Sequence, residues 1–150
     1  MEQHDYHSSI IANVSAEEAF KRIGRVADWW ANDLTGSSEK LNDVFIVRFG
    51  ETMVTFKIVE ASPEKIEWLV TDSYLPWLKD KTEWTGTKII WGITPVKDAT
   101  QIDMTHQGLV PEVECYENCK SGWDFYITKS LEQYLNTGIG QPNTPRVERA

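Results

Sequence analysis

The stretch that decides the fold is PEVECYENCKSGWDFYITKSLEQYLNT, Pro111–Thr137. Tyr116, Cys119, Trp123, Ile127, Leu131 and Tyr134 recur every three or four residues along it, the period that gathers apolar side chains on one side of an α-helix. The spacing predicts one long amphipathic helix over Pro111–Thr137, ended by Gly138 and Gly140. Glu112, Glu114 and Glu117 sit at its start, where carboxylates complement the positive end of the helix dipole. A helix with a single apolar side needs an apolar surface to cover, and the preceding sequence supplies one.

That surface is written as period-two alternation, the pattern of half-buried strands. It runs through Phe45, Val47 and Phe49; Val54, Phe56 and Ile58; Ile66, Trp68 and Val70; Ile89, Trp91 and Ile93 within Thr82–Thr94; and Ile102, Met104 and His106. Strands so close in sequence, joined by turns such as Ser62–Glu64 and Pro95–Ala99, form an antiparallel meander. Ahead of them Tyr6–Asn13 reads as a first strand. Ser15 and Glu18 then form a capping box that starts a helix at Ala16, with Ala19, Phe20 and Ile23 apolar and Gly24 as its stop. Val26–Ala31, which holds Trp29 and Trp30, reads as a further short turn of helix, and Thr35–Ser38 as a loop. The expected fold is α+β: a curved antiparallel sheet of about six strands wrapped around a long C-terminal helix, with two short helices after the first strand.

At 150 residues the chain suits one domain, placed over residues 1–140 with 141–150 as a flexible polar tail. A net charge of −8 repels phosphate backbones, and Lys79, Lys81 and Lys88 are interleaved with Asp80 and Glu83, so no nucleic acid partner is expected. Met1–Ile10 contains no apolar run of the secretory kind, no stretch is long enough to span a membrane, and two cysteines make no disulfide framework. These features give a cytoplasmic expectation. Seven Trp, five Tyr and five Phe in so small a chain need either a large core or a lined cavity.

Val14–Phe20 (VSAEEAF), Trp29 with Trp30, Glu83–Thr87 (EWTGT), His106–Leu109 (HQGL) and Cys119–Trp123 (CKSGW) follow one another in an order that resembles the START-like (SRPBCC) superfamily. Within it the chain is most similar to homologues of the activator of the heat-shock protein 90 ATPase. The resemblance covers about Tyr6–Gly140. It implies a helix-grip fold with an internal apolar cavity, and it implies no shared reaction, because the superfamily includes lipid and steroid carriers, hormone binders, polyketide cyclases and the co-chaperone domain.

The function this points to is binding of a small apolar or amphipathic molecule, a lipid, sterol or aromatic compound, between sheet and C-terminal helix. The residues expected to line that cavity are Phe45, Phe56, Trp68, Trp91, Met104, His106, Tyr116, Cys119, Trp123 and Ile127. Trp29, Trp30, Leu75, Trp77 and Leu78 fall in segments that would border its mouth. A co-chaperone role on the heat-shock protein 90 ATPase, or cyclase-like chemistry with His106 as acid or base, are the alternatives. His106 has no orienting partner in its own strand, since Asp103 points to the other face, so a structural hydrogen bond to the long helix is the plainer reading. Cys115 and Cys119, one helical turn apart, read as packing residues rather than zinc ligands, so neither metal nor cofactor is expected. Gly122, in mid-helix, costs about 1 kcal/mol relative to alanine. Either a neighbour packs on its bare backbone or the missing side chain makes room for a ligand.

Overall fold

In the computed structural model, which describes residues 5–31 and 33–142, the first and last strands lie side by side. Strand β1 (Tyr6–Ala12) runs antiparallel to the final strand (Ala99–Gln107), with Tyr6 opposite His106 and Ile10 opposite Ile102. Between them come α1 (Ala16–Gly24), α2 (Val26–Trp29), β2 (Leu34–Gly36), β3 (Val44–Phe49), β4 (Thr52–Ser62), β5 (Lys65–Tyr74) and β6 (Lys88–Val96), which makes the final strand β7. All seven pair antiparallel in the order β1-β7-β6-β5-β4-β3-β2. The alternating residues that predict the strands are the ones buried on a single face, Phe56 and Ile58 of β4, Trp68 of β5, Trp91 of β6 and Met104 of β7 among them. Register shifts between Thr55 and Phe56 and between Ile58 and Glu60 disrupt the β4–β5 ladder locally, which bends the sheet.

The buried face takes the C-terminal helix, which runs as α3 (Tyr116–Phe125), a π-helical segment Tyr126–Leu131 and α4 (Glu132–Thr137). Leu131, Tyr134 and Leu135 are buried in the same apolar cluster as the sheet residues. Arg22 of α1 ties the helix end down: its guanidinium donates to the carbonyl oxygens of Tyr134 and Leu135 in the last turn at 2.8 and 3.0 Å, where a cation also complements the helix dipole. Gly138 closes the helix in the left-handed conformation, at φ 86°, its amide donating to the Tyr134 carbonyl at 2.8 Å.

The structure departs from the sequence reading in the strand count, in where elements begin and end, and in one helix cap. The strand count among the described residues is seven because Leu34–Gly36, two of whose three residues lie inside the stretch read as a loop, pairs with Phe45–Val47; three residues are too few to show alternation, and their partner strand specifies them. The strand expected from Thr82 begins at Lys88, and the preceding residues form turns. The long helix begins at Tyr116 rather than Pro111, and it widens into π geometry, which spacing of three and four does not encode. Half of the capping box forms: Ser15 Oγ accepts from the Glu18 amide at 3.0 Å, while the Glu18 carboxylate accepts from Arg22 Nε at 2.7 Å. Beyond Gln141 and Pro142, the expected tail lies outside the described residues. Among the described residues no helix is long and apolar enough to cross a membrane.

Candidate ligand-binding site

The centre of the sheet is packed by aromatic rings on one another. Phe45 and Phe56 stack with centroids 5.0 Å apart, and Trp68 meets Phe45, Phe56 and Trp91 edge-on at 5.2, 5.6 and 5.5 Å. Trp29 closes the group against Trp91 at 5.6 Å and donates its indole N–H to the Ile23 carbonyl at 3.1 Å. Met104 and Ile127 are fully buried in the same cluster, and Tyr116 packs half-buried at its border. The indole N–H groups of Trp68 and Trp91 are buried with no acceptor among the described residues.

His106 sits in β7 facing the helix, and it is completely buried. Its Nδ1 accepts from Trp123 Nε1 at 3.1 Å, which assigns the proton of the neutral ring to Nε2. Nε2 then donates to Thr87 Oγ1 at 3.0 Å, and that hydroxyl donates to the Trp84 carbonyl at 2.7 Å. Burial pushes the imidazole down to about 3, so it stays neutral at physiological pH with both nitrogens engaged. This is the structural reading of His106, and it leaves no lone pair for a general base. The chain of bonds joins three motifs of the sequence, EWTGT through Trp84 and Thr87, HQGL through His106, and CKSGW through Trp123. Gly108 belongs to the same joint: at φ 104° a Cβ there would stand 2.7 Å from Thr87 Cγ2.

Beside this joint lies an apolar cavity of about 210 Å³. The helix contributes Cys119, Gly122, Trp123 and Tyr126, which are positions i, i+3, i+4 and i+7 of a single face. Phe49 and Thr52 come from the sheet, Trp30 from the C-cap of α2, and Leu75, Trp77 and Trp84 from the loop between β5 and β6. That loop is pinned to the start of α3 by reciprocal carboxylate bonds: Glu83 accepts from the Glu114 and Cys115 amides at 3.0 and 3.3 Å, and Glu114 accepts from the Lys79 amide at 2.9 Å. Trp77, 47% exposed, reaches across to donate to Thr52 Oγ1 at 3.1 Å. Gly122 has no atom within 4 Å of where its Cβ would stand, and it lies in regular helix. Neither close packing nor backbone conformation calls for glycine at this position. Its missing side chain is cavity space.

Of the residues expected to line a cavity, Cys119 and Trp123 do line this one. Phe45, Phe56, Trp68, Trp91, Met104, His106 and Ile127 lie in the packed interior, fully buried. Trp30 stands between the two regions, its ring 5.7 Å from Phe56, 6.2 Å from Trp68 and 4.8 Å from Trp123. Of the residues placed at the mouth, Trp30, Leu75 and Trp77 are at the cavity. Tyr126 was legible from its position seven residues after Cys119. Phe49 and Thr52 flank the β3–β4 turn; alternation with Phe45 and Val47 puts Phe49 on the apolar face, whereas no spacing rule singles out Thr52. A larger depression of about 650 Å³ between the α1–α2 junction and the β2–β3 connection has walls of both charge signs, with Arg25, Lys40, Asp28 and Asp43. No convergent set of apolar or reactive groups distinguishes it.

Neither a family model nor a curated protein matches the chain. Solved structures do. The Aha1 dimer from Colwellia psychrerythraea aligns over 91% of this chain and 99% of its own with 20% identity and a TM-score of 0.74. A protein of Staphylococcus saprophyticus aligns over 94% and 98% with 15% identity and a TM-score of 0.68. DynU16, from the dynemicin biosynthetic locus, aligns over 89% of this chain and 48% of its own with 16% identity and a TM-score of 0.63. At these identities what is shared is the architecture, a curved antiparallel sheet closed around a C-terminal helix, the helix-grip fold.

Proposed function

We propose that this chain binds one small, uncharged, apolar or amphipathic molecule in the cavity between Trp84, Trp123 and Gly122. The observation that carries the reading is Gly122, a mid-helix glycine that nothing in its surroundings requires and whose absent side chain opens onto aromatic walls. Size narrows the ligand class. About 210 Å³ exceeds the ~150 Å³ of an apolar cavity that holds benzene and falls below the roughly 300–1,000 Å³ of sites for drug-sized ligands. One or two fused rings, or a short acyl chain, fit that volume better than a sterol. Titration calorimetry with 1-naphthol tests it. The expected result is saturable binding of one molecule per chain, abolished in Gly122→Leu. Absence of saturable binding, or equal binding in the variant, overturns it. Native mass spectrometry of protein from its own host would identify the natural occupant.

A second reading is supported by the match to the Aha1 dimer along 91% of this chain: a protein-interaction role on the heat-shock protein 90 ATPase. Stimulated chaperone turnover in an ATPase assay supports it, and unchanged turnover together with no capture by the chaperone removes it.

A further inference from the structure

Four tryptophans stand on the cavity wall, and three of them give their indole N–H to the protein: Trp77 to Thr52 Oγ1, Trp84 to the Cys115 sulfur and Trp123 to His106 Nδ1. The fourth, Trp30, is only 4% exposed, and its N–H has no acceptor among the described residues. It differs from Trp68 and Trp91, whose N–H groups are unpartnered and wholly enclosed by protein. The Trp30 N–H therefore meets open space, and the space that Trp30 lines is this cavity.

The ring is not free to turn elsewhere for a partner. Its backbone is fixed at the end of α2, where the Trp30 amide donates to the Val26 carbonyl at 2.8 Å. Trp29 and Trp68 are stacked with it at 6.2 Å each, and Phe49 and Trp123 meet it at 5.8 and 4.8 Å. A buried donor held in this way is costly to leave unpaired, and it is already oriented for an acceptor that arrives through the cavity. No charged side chain lines that cavity, so a carboxylate or phosphate entering it would lose its hydration without gaining a counter-charge. A neutral carbonyl group brings an acceptor with no charge and no donor of its own that would need a partner.

We propose that the cavity selects ring compounds carrying a neutral carbonyl group, whose oxygen accepts the Trp30 indole N–H while the ring lies in the space beside Gly122. This rests on the reading of the cavity as a ligand site and adds the chemical class of the ligand. Selection comes from the donor: a hydrocarbon of the same shape leaves Trp30 Nε1 unpaired and cut off from water, and the carbonyl compound pairs it. Trp30 is the specificity-determining residue, and the apolar walls supply affinity without discriminating between the two.

Acetophenone and α-methylstyrene test this, because they share ring and shape and differ only in C=O against C=CH2. In proton–nitrogen correlation spectra of the full chain, the Trp30 indole signal is assigned by its loss in Trp30→Phe and by its contacts with Phe49 and Trp123. It is expected to move downfield to saturation with acetophenone and to show no such shift with α-methylstyrene. The acetophenone-to-α-methylstyrene affinity ratio is expected to fall about fivefold in Trp30→Phe, the size of one net hydrogen bond. It is expected to stay unchanged in Tyr126→Phe, which removes the phenol from the same wall. Equal Trp30 shifts with both probes, or a ratio that falls in Tyr126→Phe and not in Trp30→Phe, overturns the carbonyl proposal and keeps the cavity. Saturable binding of 1-naphthol or α-methylstyrene without acetophenone does the same. Saturable binding of none of the three removes the cavity reading and the proposal together.

Discussion

Two groups of tryptophans, one at the cavity and one at the centre of the sheet, are held in different ways. Around the cavity the indole N–H groups of Trp77, Trp84 and Trp123 all have acceptors, Thr52 Oγ1, Cys115 Sγ and His106 Nδ1, at 3.1, 3.2 and 3.1 Å. At the centre of the sheet those of Trp68 and Trp91 have none among the described residues. A ring surrounded on every side is kept in place by dispersion and by the lack of anywhere to go. A ring that faces empty space lacks neighbours on that side, so a directional bond must hold it. Trp29, packed in the centre and tethered to the Ile23 carbonyl, follows neither pattern, so the contrast lies between Trp77, Trp84 and Trp123 at the cavity and Trp68 and Trp91 within the sheet.

The sharpest way to break this division is to remove the residue that makes it. Trp30→Ala would delete a ring in contact with Trp29, Phe49, Phe56, Trp68 and Trp123. It should cost about 3–5 kcal/mol in urea denaturation, the usual range for a large core aromatic cut to alanine. It should also join cavity and core, so that a three-ring probe such as anthracene-2-methanol binds the variant and not the parent. Equal exclusion by both proteins would mean that Trp30 is not the partition.

Next in size is the pH dependence carried by the joint. The imidazole of His106 lies at about 3 in the fold against an ordinary value of 6.5, so between these limits the unfolded chain binds a proton that the folded one refuses. The contribution is intact above pH 6.5 and is lost as pH falls toward 3, at about 1.4 kcal/mol per pH unit, or about 3 kcal/mol by pH 4. In urea melts across pH 4–7 the stability of the parent minus that of His106→Gln should fall by about 3 kcal/mol on acidification, whatever their offset at neutrality. Parallel curves would show that His106 is accessible to protons in the fold.

A smaller difference tests the tethers themselves. Trp123→Phe leaves His106 Nδ1 buried and unpaired, whereas Trp68→Phe removes a donor that has no partner. The first should be the more destabilising by about 1–3 kcal/mol, the penalty for a stranded buried polar group. Similar costs would put ring volume, not hydrogen bonding, in charge at both sites.

The sequence made these two regions unequally legible. The packed centre follows from period two: Trp68, Trp91 and Met104 alternate along their strands and are buried where alternation puts them. The helix face from Cys119 to Tyr126 was legible from period three and four. What spacing did not reveal is which side of Trp30 stays empty, because that depends on rings from α2, β3 and the β5–β6 loop meeting one helix across long separations in sequence. Leu75, Trp77 and Trp84 come from residues whose backbone forms turns and carries no periodicity. Their placement rests instead on the Glu83 and Glu114 carboxylates that bind the loop to α3. Gly122 carried the one local signal, a mid-helix glycine with no apparent reason, and the structure gives the reason as space.

That space sets the smallest and most discriminating effect. Gly122→Ala meets no atom within 4 Å, so its methyl group incurs no clash. Replacing a glycine in a helix interior should then raise stability by about 0.5–1 kcal/mol, because the unfolded chain loses conformational freedom and the fold loses nothing. In the packed centre a single added methyl is expected to act the other way, since there the neighbours already touch. The same methyl projects into the cavity and should weaken 1-naphthol binding several-fold. A variant that is both more stable and a poorer binder would show that the glycine is kept for the ligand at the expense of the helix. A more stable variant with unchanged binding would leave the glycine without a role in the cavity and return the aromatic walls to packing alone.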